Sequence, residues 1–191
     1  MAGYQTYATV DELIQALEGI EWFECFDALN RKRYEEELRK QFDPEDPWSR
    51  IVGTWFDAEC VSEEGVHHGL IKEIASNSYG LFSPQGIRET WSETEEGAQI
   101  TLSFRWAAQT FEGKWARLDD YIDYGFWGLL DKAVQETKPD LSWAMADGCG
   151  QDGTVFLNRR EAIERAVKQG ILPIYWESED DFEEELAEAD A

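Results

Sequence analysis

Thr101-Leu102-Ser103-Phe104-Arg105-Trp106 is the stretch that decides the fold. Polar and apolar residues alternate strictly, the period of a strand with one face in a core and the other in water. Runs 51–61, 66–75, 86–92 and 111–118 read as further strands, with less regular alternation. Turn signals separate them: Glu63-Glu64-Gly65, Ser83-Pro84-Gln85-Gly86, Glu95-Glu96-Gly97 and Glu112-Gly113. Strands joined by turns this short pair antiparallel, as a meander or a set of hairpins.

Helical signals flank this region. Thr9-Val10-Asp11-Glu12 has the form of a capping box, with Leu13, Ile14 and Leu17 at helical spacing and Gly19 as the stop. A second helix is predicted over 27–41, with Leu29, Tyr34 and Leu38 inward, ended by Asp43-Pro44 and Asp46-Pro47. Its bases (Arg31, Lys32, Arg33, Arg39, Lys40) stand three and four residues from Glu35, Glu36 and Glu37, which predicts a salt-bridged solvent face. A third helix follows over 125–138, with Phe126, Trp127, Leu130 and Val134 inward. Asn158-Arg159-Arg160-Glu161 opens a last helix as a second capping box, with Ile163, Ala166 and Val167 inward and Gly170 as its stop. Run 171–176 reads as a closing edge strand, since Pro173 is tolerable only at an edge. The whole predicts one α+β domain over 1–176: an antiparallel sheet of about five to six strands, with N-terminal and C-terminal helices on one face. Residues 177–191 form an acidic C-terminal tail.

Charge narrows the function. Forty-one acidic residues stand against seventeen basic ones, a formal charge of −24 over 191 residues. Such a surface repels nucleic acid and anionic membrane, and attracts basic proteins. Disordered acidic chains lack aromatics, whereas this one carries nine Trp and ten Phe. Nine of the fourteen residues in 177–190 are acidic, yet residues 1–176 alone keep a charge of −15. No apolar run approaches the roughly 20 residues that span a bilayer, and the N-terminal residues lack the pattern of a signal peptide. Cys25, Cys60 and Cys149 are odd in number and widely spaced, which argues against a disulfide framework or a zinc cage and for reduced thiols in the cytoplasm.

Carboxylates held in rows can stand in for phosphates. Alternate residues on one strand face lie roughly 6.6 Å apart, a spacing comparable with successive phosphates of a nucleic acid. The leading expectation is therefore a non-catalytic acidic inhibitor, of the immunity or anti-defence kind, that fills the basic cleft of a nuclease or other nucleic-acid-binding protein. The expected partner-binding residues are Glu63, Glu64, Glu93, Glu95, Glu96, Asp119, Asp120, Asp123, Glu179, Asp180 and Asp181. No cofactor or metal is expected, nor direct binding of nucleic acid.

Two alternatives remain. One is a small enzyme or ligand-binding domain using Cys149, which lies between two glycines, together with His67 or His68. Read as strand neighbours, the two histidines point to opposite faces and cannot share a site. The other is an acidic scaffold that binds basic proteins through its tail. The Asp119–Asp123 run is read as a helix cap, with Asp120 or Asp123 at the N-terminus of the following helix.

Overall fold

The first helix, α1 (Val10–Gly19), begins where the capping box places it. The Glu12 amide donates to Thr9 Oγ1 at 3.3 Å, and the Glu12 carboxylate accepts from the Ala8 amide at 2.8 Å, one residue ahead of the cap. Leu13, Ile14 and Leu17 are buried as expected. In α2 (Ala28–Gln41), capped by Asp27, Tyr34 and Leu38 are buried but Leu29 is 69% exposed, because it lies on the outer side of the first turn. The computed structural model describes residues 4–95, 97–117, 120–147 and 152–174.

After a 3₁₀ turn (Pro47–Arg50) come β1 (Thr54–Asp57), α3 (Val66–Asn77), β2 (Gln85–Thr94), β3 (Gly97–Trp106) and β4 (Gln109–Ala116). Then follow α4 (Tyr124–Thr137), β5 (Leu141–Asp147), β6 (Asp152–Arg159) and α5 (Arg160–Lys168). The class is α+β with antiparallel pairing throughout, and the six strands fall in two sheets of three rather than one. The first sheet has the order β1-β6-β5; the second is the β2-β3-β4 meander.

The layers follow from burial. Ala144, Ala146 and Phe156 face a core built with α1, α2 and α5. Leu141, Val155 and Leu157, on the other face of the same sheet, share a second core with α3, α4 and the inner face of the meander. Helices therefore cover both faces of the β1-β6-β5 sheet, and α3 and α4 lie between the two sheets. Phe82 ties the layers together. Its ring meets Phe104, Trp106 and Trp143 edge-on, with centroids 5.7, 5.0 and 5.4 Å away.

Further expectations need correction. Residues 66–75 are helical: Leu70, Ile71 and Ile74 recur at helical spacing and are buried along one side. Asn158 does not cap α5. It is buried, donating to the Trp22 carbonyl at 3.2 Å and accepting from the Arg159 amide and the Cys25 thiol, so Arg159 takes the cap position without a side-chain bond. Residues 171–174 are irregular rather than strand, although Ile171, Leu172 and Ile174 are buried, and Val167 is 36% exposed.

Candidate functional site

Helix α3 starts at Gly65, with φ +102° and no side chain to cap the free amides of its first turn. Glu89 of β2 supplies the missing acceptor. Along β2, Arg88 and Thr90 point outward, which turns Glu89 toward the helix layer, where its side chain is only 2% exposed. Its Oε2 accepts from the His68 amide at 2.8 Å; its Oε1 accepts from His67 Nδ1 at 3.2 Å and Trp91 Nε1 at 2.7 Å. Burial pushes the Glu89 carboxyl up. The donors of His67, the His68 amide, Trp91 and the Gly65 amide together outweigh that cost and hold it down at about 2.

His67 is fully buried between Trp115 (centroids 5.6 Å apart) and Phe126 (5.3 Å). With Nδ1 donating to Glu89, its Nε2 has no hydrogen-bond partner among the described residues and lies among aromatic rings. A Cβ at Gly125 would fall 2.9 Å from the Trp115 indole, so the close approach of α4 requires glycine there. This histidine–carboxylate pair is saturated on the Glu89 side and sealed on the other. It fastens α3 to β2 and offers nothing to a substrate. His68, one residue on, joins the same cluster through its backbone amide, with a half-buried side chain. The opposite-face argument for two strand histidines therefore does not apply.

The surface beside this cluster is acidic. The Ile122 amide donates to the Ala58 carbonyl at 2.8 Å and the Val61 amide to the Asp120 carbonyl at 2.7 Å, pairing loop 58–64 with segment 120–123. Arg117 brings in the β2–β3 hairpin. Its amide donates to the Ala98 carbonyl at 2.8 Å, its Nη2 to the Val61 carbonyl at 3.1 Å, and its guanidinium lies 5.1 Å from the Trp91 ring centroid. Glu93, paired with Ala98, and the hairpin tip at Glu95 thus stand at the same end as Glu63 and Glu64. All four are exposed, and none forms an ion pair among the described residues.

Three exposed aromatics lie on the segments around this end: Tyr121 and Tyr124 in 120–124, and Trp55 on β1, which runs into loop 58–64. Trp55 (60% exposed) donates from Nε1 to Asp152 at 3.1 Å, and Asp152 stands opposite Asp57 in the register. Tyr121 (47%) donates to Glu59, and Tyr124 is 88% exposed. Asp123 caps α4, its Oδ1 accepting from the Gly125 amide at 2.6 Å, and Asp120 is half-buried.

On α1, α2 and the β6–α5 junction most acids are paired, whereas Glu45, Glu73, Glu112 and Glu136 elsewhere form no ion pair among the described residues. Arg31 pairs with Glu18 and Glu35, Lys32 with Glu36, Arg39 with Asp11, Lys40 with Glu37, Arg159 with Glu24 and Glu161, and Arg165 with Glu21. All these pairs involve α1, α2, the link between them, or the β6–α5 junction. The outer face of the meander is not acidic either. It carries Arg88, Thr90 and Ser92 on β2, Gln99, Thr101, Ser103 and Arg105 on β3, and Thr110, Glu112 and Lys114 on β4. The expected rows of strand carboxylates are absent from that face; the acids stand at strand ends and in loops, where turn chemistry put them.

Of the residues expected from sequence, Glu63, Glu64, Glu93, Glu95, Asp120 and Asp123 come together at this end. Glu96, Asp119, Cys149, Glu179, Asp180 and Asp181 lie outside the described residues. Burial raises the Cys25 thiol to about 11 and pushes the Cys60 thiol up as well, so neither is a ready nucleophile. Among the described residues, no group of three His, Cys, Asp or Glu is placed to hold a metal ion, and no helix is long and apolar enough to cross a membrane. The sequence reading missed Glu89, Trp91, Trp55 and Tyr121. One signal was present: Ile87, Glu89 and Trp91 alternate with polar residues, which marks Glu89 as an inward carboxylate. Searches against known protein families, curated proteins and solved structures find no match.

Proposed function

We propose that this chain is a non-catalytic acidic binding protein. It presents the end formed by loop 58–64, the β2–β3 tip and segment 120–124 to the basic cleft of a nucleic-acid-binding protein, such as a nuclease, in the cytosol. The segregation of charge carries the reading. The acids of α1, α2 and the β6–α5 junction are largely paired with arginine and lysine, whereas Glu63, Glu64, Glu93 and Glu95 form no ion pair among the described residues, and Tyr121 and Tyr124 stand exposed on segment 120–124. Exposed Trp and Tyr rimmed by charge are the composition of protein-binding hot spots, in which rings supply the affinity and carboxylates the steering. The strand and helix ends that bear these groups are held by backbone hydrogen bonds, which limits the ordering cost of binding.

The test is capture from the cells that make the protein, with the wild-type chain and the Glu63→Lys/Glu64→Lys/Tyr121→Ala variant side by side. The reading expects a basic nucleic-acid-binding protein retained by the wild type and lost by the variant. Retention of the same protein by both would move the interface elsewhere, and capture of only acidic or neutral proteins would end the reading.

A further inference from the structure

The outer face of the meander holds an open cavity of about 380 Å³, lined by Gly86, Arg88, Ser103, Arg105 and Thr110 together with Phe104. The register explains the grouping. Arg88 stands opposite Ser103, and Arg105 stands between Gln85 and Thr110 in the next row, so both guanidinium groups rise from one face on adjacent strands. The register shifts between Gln85 and Arg88, and Gly86 in that bulge has φ +61°. The Arg105 guanidinium lies close to this bulge: a Cβ at Gly86 would stand in ordinary contact, 3.6 Å from its Nε and Nη2, and the positive φ is what favours glycine there.

These two arginines differ from most others in the chain. Arg31, Arg39, Arg159 and Arg165 are paired with carboxylates, Arg50 donates to the Gln5 carbonyl, and Arg117 to the Val61 carbonyl. Arg88 and Arg105 have no ion pair or hydrogen bond among the described residues, and the Ser103 and Thr110 hydroxyls have none either. In a chain of charge −24, carboxylates that could have neutralised them were plentiful. The one carboxylate on this sheet face, Glu112, stands opposite Ser103 and pairs with neither arginine. Two exposed guanidinium forks and two hydroxyls thus line one open cavity, and no protein acceptor among the described residues engages them. That donor set matches an oxyanion, which accepts several charge-assisted bonds at once.

We propose that this cavity binds an oxyanion, a phosphate or carboxylate group borne by a small molecule. The test is an NMR titration of the arginine Nε–H signals of the full chain with inorganic phosphate and, separately, with glutarate, at ionic strength held constant with sodium chloride. The expected result is saturable shifts at Arg88 and Arg105 and none at Arg31. Arg88→Gln and Arg105→Gln should each weaken binding by about tenfold or more, the loss of one charge-assisted pair. Glu112→Gln, which removes the nearby negative charge, should strengthen it. Lys168→Gln, an exposed change on α5, should leave it as in the wild type. Tighter binding of phosphate points to a phosphate ester as ligand, and tighter binding of glutarate to an organic acid. Shifts that never saturate with either anion, or an equal loss in the Lys168 variant, would overturn the proposal.

Discussion

Replacing Glu89 with Gln tests how α3 is held, because the change keeps the shape and removes the charge. In the wild type one carboxylate accepts from His67 Nδ1, Trp91 Nε1 and the His68 amide, with the Gly65 amide also favouring its charged form. A glutamine has one carbonyl oxygen, so it can serve the His67 and Trp91 side or the backbone amides of α3, but not both. Its amide nitrogen must then face a donor. Each buried donor left without an acceptor costs about 1–3 kcal/mol. The same figure follows from the carboxyl itself: held at about 2 against an ordinary 4.5, it contributes about 3 kcal/mol when ionised. The sign is that of a depressed acid. The contribution is complete above pH 4.5 and disappears as pH falls from 4.5 through 2. Urea denaturation of both proteins at pH 7 should show a loss of about 3 kcal/mol in the variant. The gap should close as the pH falls, because the variant has no proton to gain at that position. Many other carboxylates titrate in the same range, so the difference between the two proteins is the quantity to read. A gap under about 1 kcal/mol at pH 7, or one that stays constant down to pH 2.5, would refute the argument that Glu89 is an ionised cap for α3.

Three further outcomes are expected. The β3–β4 hairpin turns on Ala107 (φ 47°) and Ala108 (φ 68°), both in the left-handed region that Asn and Gly adopt readily. Ala107→Asn/Ala108→Gly should raise stability by about 1–2 kcal/mol in thermal unfolding, and an unchanged or lower Tm would contradict the turn geometry. Phe82 is fully buried and joins both sheets, so Phe82→Ala should cost about 3–5 kcal/mol in denaturant unfolding, whereas a cost near 1 kcal/mol would mean that the layers are not joined there. The Cys25 thiol, raised to about 11 by burial, should alkylate with iodoacetamide at pH 7.5 far more slowly than a free thiol of pKa about 8.5. Equal rates would show that Cys25 is not buried against Asn158.

How much of this was legible depended on which faces an element buries. The β3 alternation was visible because Leu102, Phe104 and Trp106 enter the core while Thr101, Ser103 and Arg105 meet solvent. Strands β5 and β6 were not, because their sheet is covered on both faces. Val155, Phe156 and Leu157 are all buried, so the period of two disappears. Helix α3 was hidden for another reason. Its cap comes from Glu89, twenty-four residues after Gly65, and a cap supplied from that distance leaves no local motif. The acidic end was readable in part, since Glu63, Glu64 and Glu95 belong to turns that had to be exposed. That loop 58–64, the hairpin tip and segment 120–123 share one end was not, because Arg117 and backbone bonds between distant segments create that meeting.

The most direct measurement of the central claim is the affinity of the purified chain for its captured partner across a salt series, repeated with duplex DNA as competitor. Carboxylates steering into a basic cleft are screened within roughly 8 Å at physiological ionic strength, so affinity should fall steeply as salt rises. DNA should displace the protein, because both would occupy the same surface. An affinity indifferent to both salt and DNA would contradict the account.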